Sequence, residues 1–270
     1  MSDLLKVGWF STGRGQGSRN LLRAVMEQKR AGELEIEIPF VFCNWDNTEE
    51  ENPRREQRQM FFDLVASYNI PLITLSWKKF LPELRAKDEN AWRLEYGREM
   101  RRLISYEFDV GMLAGYMLWV DDETCRKYRL LNLHPALPDG PKGTWQEVIW
   151  KLIEQGAEEQ GAMIHICTED WDRGPPVSYC RFPIRGGEYD VLWRRMDEKL
   201  SKQSLEEIRA EEGIEEPLFK KIREDGSRRE LPLIVDTLKA ISKGEIDLDK
   251  VSEPIDLSEE VERRLQEGGF

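Results

Sequence analysis

Hydrophobic and polar positions along this chain follow two periods, and each switch between them marks a new structural unit. Lys6-Val7-Gly8-Trp9-Phe10-Ser11 is a short, nearly unbroken apolar run, as expected of a strand buried on both faces. It passes through the glycine-rich stretch Thr12–Ser18 into Leu21, Leu22, Val25 and Met26, which recur at helical spacing. Ile36–Cys43 reads as a second strand, closed by the turn residues Asn44, Asp46 and Asn47. A charged run, Glu49–Arg58, leads to a helix carrying Phe61, Phe62, Leu64, Val65 and Tyr68. Pro71–Leu75 is a third strand, and a charged helix from about Glu89 to Tyr106 turns Trp92, Tyr96, Met100 and Leu103 inward. Asp109–Trp119 reads as a fourth strand and Leu130–Leu133 as a fifth. Strands alternating with helices through these units predict an α/β fold with a doubly wound, mostly parallel sheet.

Further along, Trp145–Glu154 is amphipathic, Ala162–Cys167 and Val177–Phe182 read as strands, and a helix near Tyr189–Leu200 closes the compact part. From about Ser201 the pattern changes. Leu205–Glu216 is acidic and helix-prone, Lys220–Glu230 is of mixed charge, Leu231–Ile241 is amphipathic, and Glu245–Phe270 is strongly acidic. The division expected is an α/β domain over residues 1–200 and an acidic helical extension over residues 201–270.

Composition narrows the partners. The net charge of −12 argues against general attraction to nucleic acid or to an anionic membrane, while leaving room for an anionic small molecule held by local groups. Cys43, Cys125, Cys167 and Cys180 show no CxxC spacing, and the two histidines are far apart, so no metal site is expected. With no signal-like leader and no membrane-length apolar run, a cytoplasmic protein with reduced thiols is expected.

Candidate chemistry gathers at strand ends. In doubly wound sheets ligands collect beyond the carboxyl ends of the strands. Three stretches fall there: the glycine-rich stretch, Gly115–Val120, and His134. The glycine-rich stretch runs from strand to helix, so its backbone N–H groups can approach a phosphate. It lacks the GK[ST] of a Walker loop and the spacing of a dinucleotide loop. In Leu130-Leu131-Asn132-Leu133-His134-Pro135, strand alternation turns Asn132 and His134 to one face and Leu131 and Leu133 to the other. A returning strand can carry Asp172 over His134, where a carboxylate favours the charged imidazole. An amide, an imidazolium and a carboxylate make a site for holding an oxyanion and moving a proton. No serine has a GxSxG context.

The segments Arg93–Glu99, Leu113-Ala114-Gly115-Tyr116-Met117, Asn132–Pro138, Gly161–Ile166 and Asp172-Arg173-Gly174-Pro175 together resemble the folate-dependent formyltransferase family, over roughly residues 5 to 195. The resemblance implies a Rossmann-like fold and a formyltransferase. It implies 10-formyltetrahydrofolate as the donor and, as the acceptor, the amine of a phosphorylated molecule, 5′-phosphoribosylglycinamide of purine biosynthesis first. It implies Asn132, His134 and Asp172 as catalytic residues. Donor contacts fall on Arg93, Met117, Leu118, Trp119 and Val120, on Asn132 again, and on Thr168, Glu169, Asp170, Trp171 and Asp172. The acceptor phosphate falls on Gly13, Arg14, Gly15, Gln16, Gly17, Ser18, Arg19 and Asn20. His165 matches the second histidine of the family and is read as structural. Partners implied are small molecules, without nucleic acid or membrane, and a homo-oligomer stays open.

This chain also departs from the family. Its phosphate loop is longer than SGxGSNL, Met117-Leu118-Trp119-Val120 lacks the arginine of MRIL, and no EH pair stands near Met196–Lys199. Beyond about residue 200 no family motif is found. These departures keep other readings in play: a different amine such as a nucleotide-linked amino sugar, hydrolysis of the formyl donor, or a degenerate folate- and phosphate-binding module.

Overall fold

The computed structural model describes residues 4–47, 54–168, 173–251 and 253–268. Strand β1 (Leu5–Ser11) leads to helix α1 (Gln16–Arg30), then to β2 (Ile36–Glu37) and β3 (Val41–Cys43). Helix α2 (Arg55–Ser67) returns the chain to β4 (Leu72–Thr74). Helices α3 (Pro82–Lys87) and α4 (Glu89–Leu103) carry it to β5 (Val110–Leu113), and α5 (Asp122–Lys127) to β6 (Leu130–His134). Next come α6 (Trp145–Glu154), the long strands β7 (Glu159–Ile166) and β8 (Pro176–Pro183), and α7 (Glu188–Leu200). The remainder is α8 (Leu205–Glu212), a 3-10 turn at Gly213–Glu215, α9 (Pro217–Ser242), β9 (Ile255–Asp256) and α10 (Ser258–Gln266).

The strands form one sheet in the order β4-β3-β1-β5-β6-β7-β8-β9, with β2 paired to the start of β1. From β4 to β6 the strands are parallel, while β7 runs antiparallel between β6 and β8. Chain order moves outward from β1 to β4, then crosses back to β5 on the other side of β1. That reversal sets the switch point between β1 and β5, where such sheets open a crevice. The doubly wound, mostly parallel sheet is the one the alternation of periods predicts.

Two predicted strands differ from the observed ones. Ile36–Cys43 splits into β2 and β3, because Pro39 has no N–H for the ladder. The apolar run Asp109–Trp119 is strand only as far as Leu113. Gly115 turns the chain at φ +68°, and the following loop is tied across the switch point to the end of β1. There Thr12 N–H donates to the Gly115 carbonyl at 3.1 Å, and Thr12 Oγ1 accepts from Met117 N–H at 2.8 Å.

Helices cover both faces. One face packs Val7, Trp9, Met112 and Leu131 against Leu22 and Val25 of α1 and Phe61 and Val65 of α2. The other packs Phe10, Phe42, Leu113 and Leu130 against Trp92, Tyr96 and Met100 of α4. Helix α9 merges the mixed-charge and amphipathic stretches into one element, although Pro232 removes a hydrogen bond from its interior. Its first half buries Leu218, Phe219 and Ile222 among α6, α7 and α8, and its second half sets Leu233, Ile234 and Leu238 into the main core. Each such side chain contributes roughly 1.5–3 kcal/mol on burial, enough to hold the helix on the sheet despite its proline.

Candidate active site

A cleft of about 700 Å³ opens at the carboxyl ends of β1, β5 and β6. Asn132 and His134 line it from the tip of β6; Leu131 is buried in the core on the opposite face, and Leu133 packs against that core while also bordering the cleft. His134 is only 4% exposed. Antiparallel pairing of β7 with β6 sets His165 directly opposite Asn132. His165 Nδ1 lies 3.0 Å from the Ile166 carbonyl oxygen, which can only accept, so that nitrogen carries the hydrogen. In the neutral ring Nε2 is then an acceptor, and it takes the Asn132 Nδ2–H at 3.1 Å. One ring thereby fixes which way the Asn132 amide faces. The imidazole rings of His134 and His165 lie edge to face, 6.2 Å apart. His165 lines the cleft too, and its grip on Asn132 gives it a task that the sequence reading did not assign.

The glycine-rich stretch borders the cleft from the β1 side. Gly13 sits at φ +61°, and a Cβ there would meet Phe61 Cδ1 at 2.9 Å, so both backbone and space require glycine. Helix α1 starts with Gly15 as N-cap and no side-chain cap, and without an acidic residue in its first turn. Its leading N–H groups and positive dipole end are the elements of an anion site. Arg14, Gly15, Gly17 and Ser18 line the cleft; Gly13, Gln16, Arg19 and Asn20 do not. Arg19 instead donates to the carbonyl and side-chain oxygens of Gln57 at 2.9 and 2.8 Å, and Asn20 accepts from Arg23 at 3.4 Å. Once Gln16 opens the helix, successive side chains rotate by about 100° and cannot all face one ligand.

Met117, Leu118, Trp119, Val120 and Thr168 form a third side of the cleft. Trp119 is 38% exposed, with the Arg93 guanidinium 4.4 Å from its ring centroid. Arg93 pairs with Glu89 at 3.5 Å and supports the indole from outside the lining. Behind this loop, Asp121 caps α5 and pairs with Arg101 of α4 at 2.8 Å, with side chains 2% and 10% exposed. Gly97 makes the approach possible, since a Cβ there would lie 1.7 Å from Asp121 Oδ2. Glu169, Asp170, Trp171 and the expected catalytic Asp172 lie outside the described residues. Cys125 and Cys167 line the cleft; burial pushes the Cys43 and Cys180 thiols up to about 12, leaving them unreactive near neutral pH.

Other lining residues were not singled out in the sequence. Gly143, Thr144, Trp145 and Gln146 enter from the start of α6, Arg54 from the start of α2, and Ile214, Arg223 and Glu230 from beyond residue 200. Thr144 and Glu147 form a capping box, a pattern legible as a helix start though not as a site. Arg223 and Glu230 carried no local signal, because mixed charge on a helix ordinarily marks a solvated face. Among the described residues the charged lining is Arg14, Arg54, Arg223 and Glu230, a net positive patch on a chain of net charge −12. Field focusing in such a cleft favours anionic ligands.

A sequence profile described as Formyl transferase matches residues 13–203. The phosphoribosylglycinamide formyltransferase of Escherichia coli (strain K12) is 34% identical over 99 residues, 36% of this chain and 46% of that protein. The chain spans about half the length of the curated relatives it matches. The solved phosphoribosylglycinamide formyltransferase of Coxiella burnetii aligns with TM-score 0.60 at 18% identity, over 90% of this chain and 89% of that one. A formyltetrahydrofolate deformylase from Pseudomonas syringae pv. tomato str. DC3000 aligns with TM-score 0.59 at 18% identity, over 90% of this chain and 63% of that one. These alignments show a common fold, and 90% is more than residues 1–200 make up, so part of the later segment belongs to it. With the profile spanning well over half of its residues, the chain belongs to the formyl transferase family.

Proposed function

We propose that this protein transfers a formyl group from 10-formyltetrahydrofolate to the amine of a phosphorylated acceptor, with 5′-phosphoribosylglycinamide, a purine precursor, as the first acceptor to test. The observation that carries the proposal is the pairing of Asn132 and His134 at the tip of β6, in one cleft with an uncapped helix N-terminus.

In this reading the acceptor amine attacks the formyl carbon. A C–N bond forms and the carbonyl electron pair moves onto oxygen. That oxyanion takes hydrogen bonds from the Asn132 amide and the His134 imidazolium, both positioned before the reaction, which is where such donors are most effective. His165 uses one Asn132 N–H and so sets the direction of the other. The bond to the folate nitrogen then breaks; His134 gives its proton to that nitrogen and, neutral for that moment, takes the proton the attacking amine loses. Asp172 keeps His134 charged. The pterin lies along Met117–Val120 and Thr168, and the acceptor phosphate at Gly15–Ser18 with Arg14. Both substrates carry negative charge, which suits the arginine-lined cleft. Among the described residues no helix is long and apolar enough to cross a membrane.

The test follows loss of the formyl donor with and without phosphoribosylglycinamide, and measures formate. Acceptor-dependent turnover that disappears in His134→Ala is the expected result. Formate release without acceptor, at a rate matching turnover, would replace transfer by hydrolysis. Folate binding with neither transfer nor formate release would leave only a binding module.

A further inference from the structure

One wall of the cleft comes from α9 and the start of α6. Arg223 Nη1 donates to Glu230 Oε1 at 2.7 Å, two turns along the same helix. Its guanidinium lies 4.9 Å from the ring centroid of Trp145, which in turn rests 5.8 Å from the Phe219 ring. Ion pair and aromatic face together hold the guanidinium in one place. Both residues line the cleft, and the Arg223 side chain is 30% exposed against 12% for Glu230, so the cation is the more open to solvent of the two. Among the described residues Nε and Nη2 of Arg223 donate to no protein group. A fixed guanidinium with an open donor edge matches a carboxylate or phosphate in two-point contact. The uncapped start of α1 is a separate element with its own anion-binding groups.

We propose that Arg223 reads a second anionic group on the acceptor, a carboxylate or phosphate, apart from the phosphate assigned to Gly15–Ser18. The acceptor then carries negative charge at two places, and α9 selects it. That the anion belongs to the acceptor rests on the formyl-transfer reading; that Arg223 holds an anion does not.

Calorimetry on the full chain tests this with ribose 5-phosphate and ribulose 1,5-bisphosphate as probes, using wild type, Arg223→Gln, Arg223→Lys and Glu230→Gln. The bisphosphate is expected to bind wild type about tenfold more tightly than the monophosphate. Arg223→Gln should abolish that preference with monophosphate affinity unchanged, and Arg223→Lys should restore part of it. Glu230→Gln, which removes a competing carboxylate, should tighten bisphosphate binding. Equal affinities for the two probes, no binding of either, or a preference that survives Arg223→Gln would overturn the proposal. A folate analogue titrated separately judges the reaction: if it fails to bind while the bisphosphate preference holds, the formyl-transfer reading falls and the subsite stands.

Discussion

The two sides of the cleft are built differently. On the β6–β7 side the polar groups stand on paired strands, and Asn132 is held by His165 across the ladder. On the α1–α9 side they stand on a glycine-rich turn and on helices, and the positions of Gly15 and Gly17 have open space around them. Strand pairing fixes side chains within a few tenths of an ångström, as a developing oxyanion requires. A helix terminus with nearby arginines holds an anion through charge and backbone N–H groups, which tolerates adjustment. The rigid side suits a reaction shared across a family, and the adjustable side suits a substrate that differs between members.

The rigid side should fail first and hardest. His134→Ala is expected to lower transfer on the order of 10³-fold with the fold intact, since a positioned acid–base group is worth 10²–10⁴. Steady-state rates with a melting curve check both halves of that statement. Asp172→Asn should fall in the same range if the carboxylate keeps His134 charged; near-normal turnover would remove it from the catalytic set. Gly97→Ala attacks the scaffold instead. A Cβ within 1.7 Å of Asp121 Oδ2 must push that carboxylate off Arg101, at about 3 kcal/mol from overpacking and a broken buried pair. Urea unfolding measures the loss directly. A loss below about 1 kcal/mol would mean that α4 and α5 separate easily and that the wall behind Met117–Val120 is less rigid than its contacts indicate.

The same contrast explains what could be read from the sequence. The sheet and the Asn132–His134 tip are local patterns, a period of two ending at prolines, and local patterns survive without knowledge of the fold. Gly115–Trp119 reads as the end of a strand because its apolar residues match a buried strand; its ties to Thr12, about a hundred residues earlier, make it a loop. Arg19 misled because three glycines hide where α1 begins, and a shift of one residue turns its side chain by about 100°. Among the described residues Arg93 joins the site through Trp119 rather than by lining the cleft. Arg223 and Glu230 enter the cleft because α9 crosses the sheet, and no window of the sequence around them contains that information.

His165 sets a middle case, a residue of the rigid side that acts through another. His165→Ala removes the acceptor for the Asn132 Nδ2–H and lets the amide turn. The expected loss in kcat is about 10- to 100-fold, the range for residues that orient a reacting group, with acceptor KM unchanged. His165→Gln, which retains an acceptor oxygen, should recover part of it. A change in acceptor KM alone would place His165 on the recognition side and undo the division drawn between the two walls.

The smallest effects should separate two arginines that the glycine-rich stretch presents together. Arg14 lines the cleft, and Arg14→Ala is expected to raise acceptor KM about five- to tenfold with kcat nearly unchanged, as for loss of a contact made equally before and during reaction. Arg19 spends its guanidinium on Gln57, so Arg19→Ala should alter acceptor KM by less than about twofold. It should instead loosen the contact between α1 and α2, by about 1 kcal/mol in urea unfolding. The reverse pattern, with Arg19 governing KM and Arg14 silent, would mean that α1 rotates when the acceptor arrives. The glycine-rich stretch would then be a moving part rather than a preformed cradle.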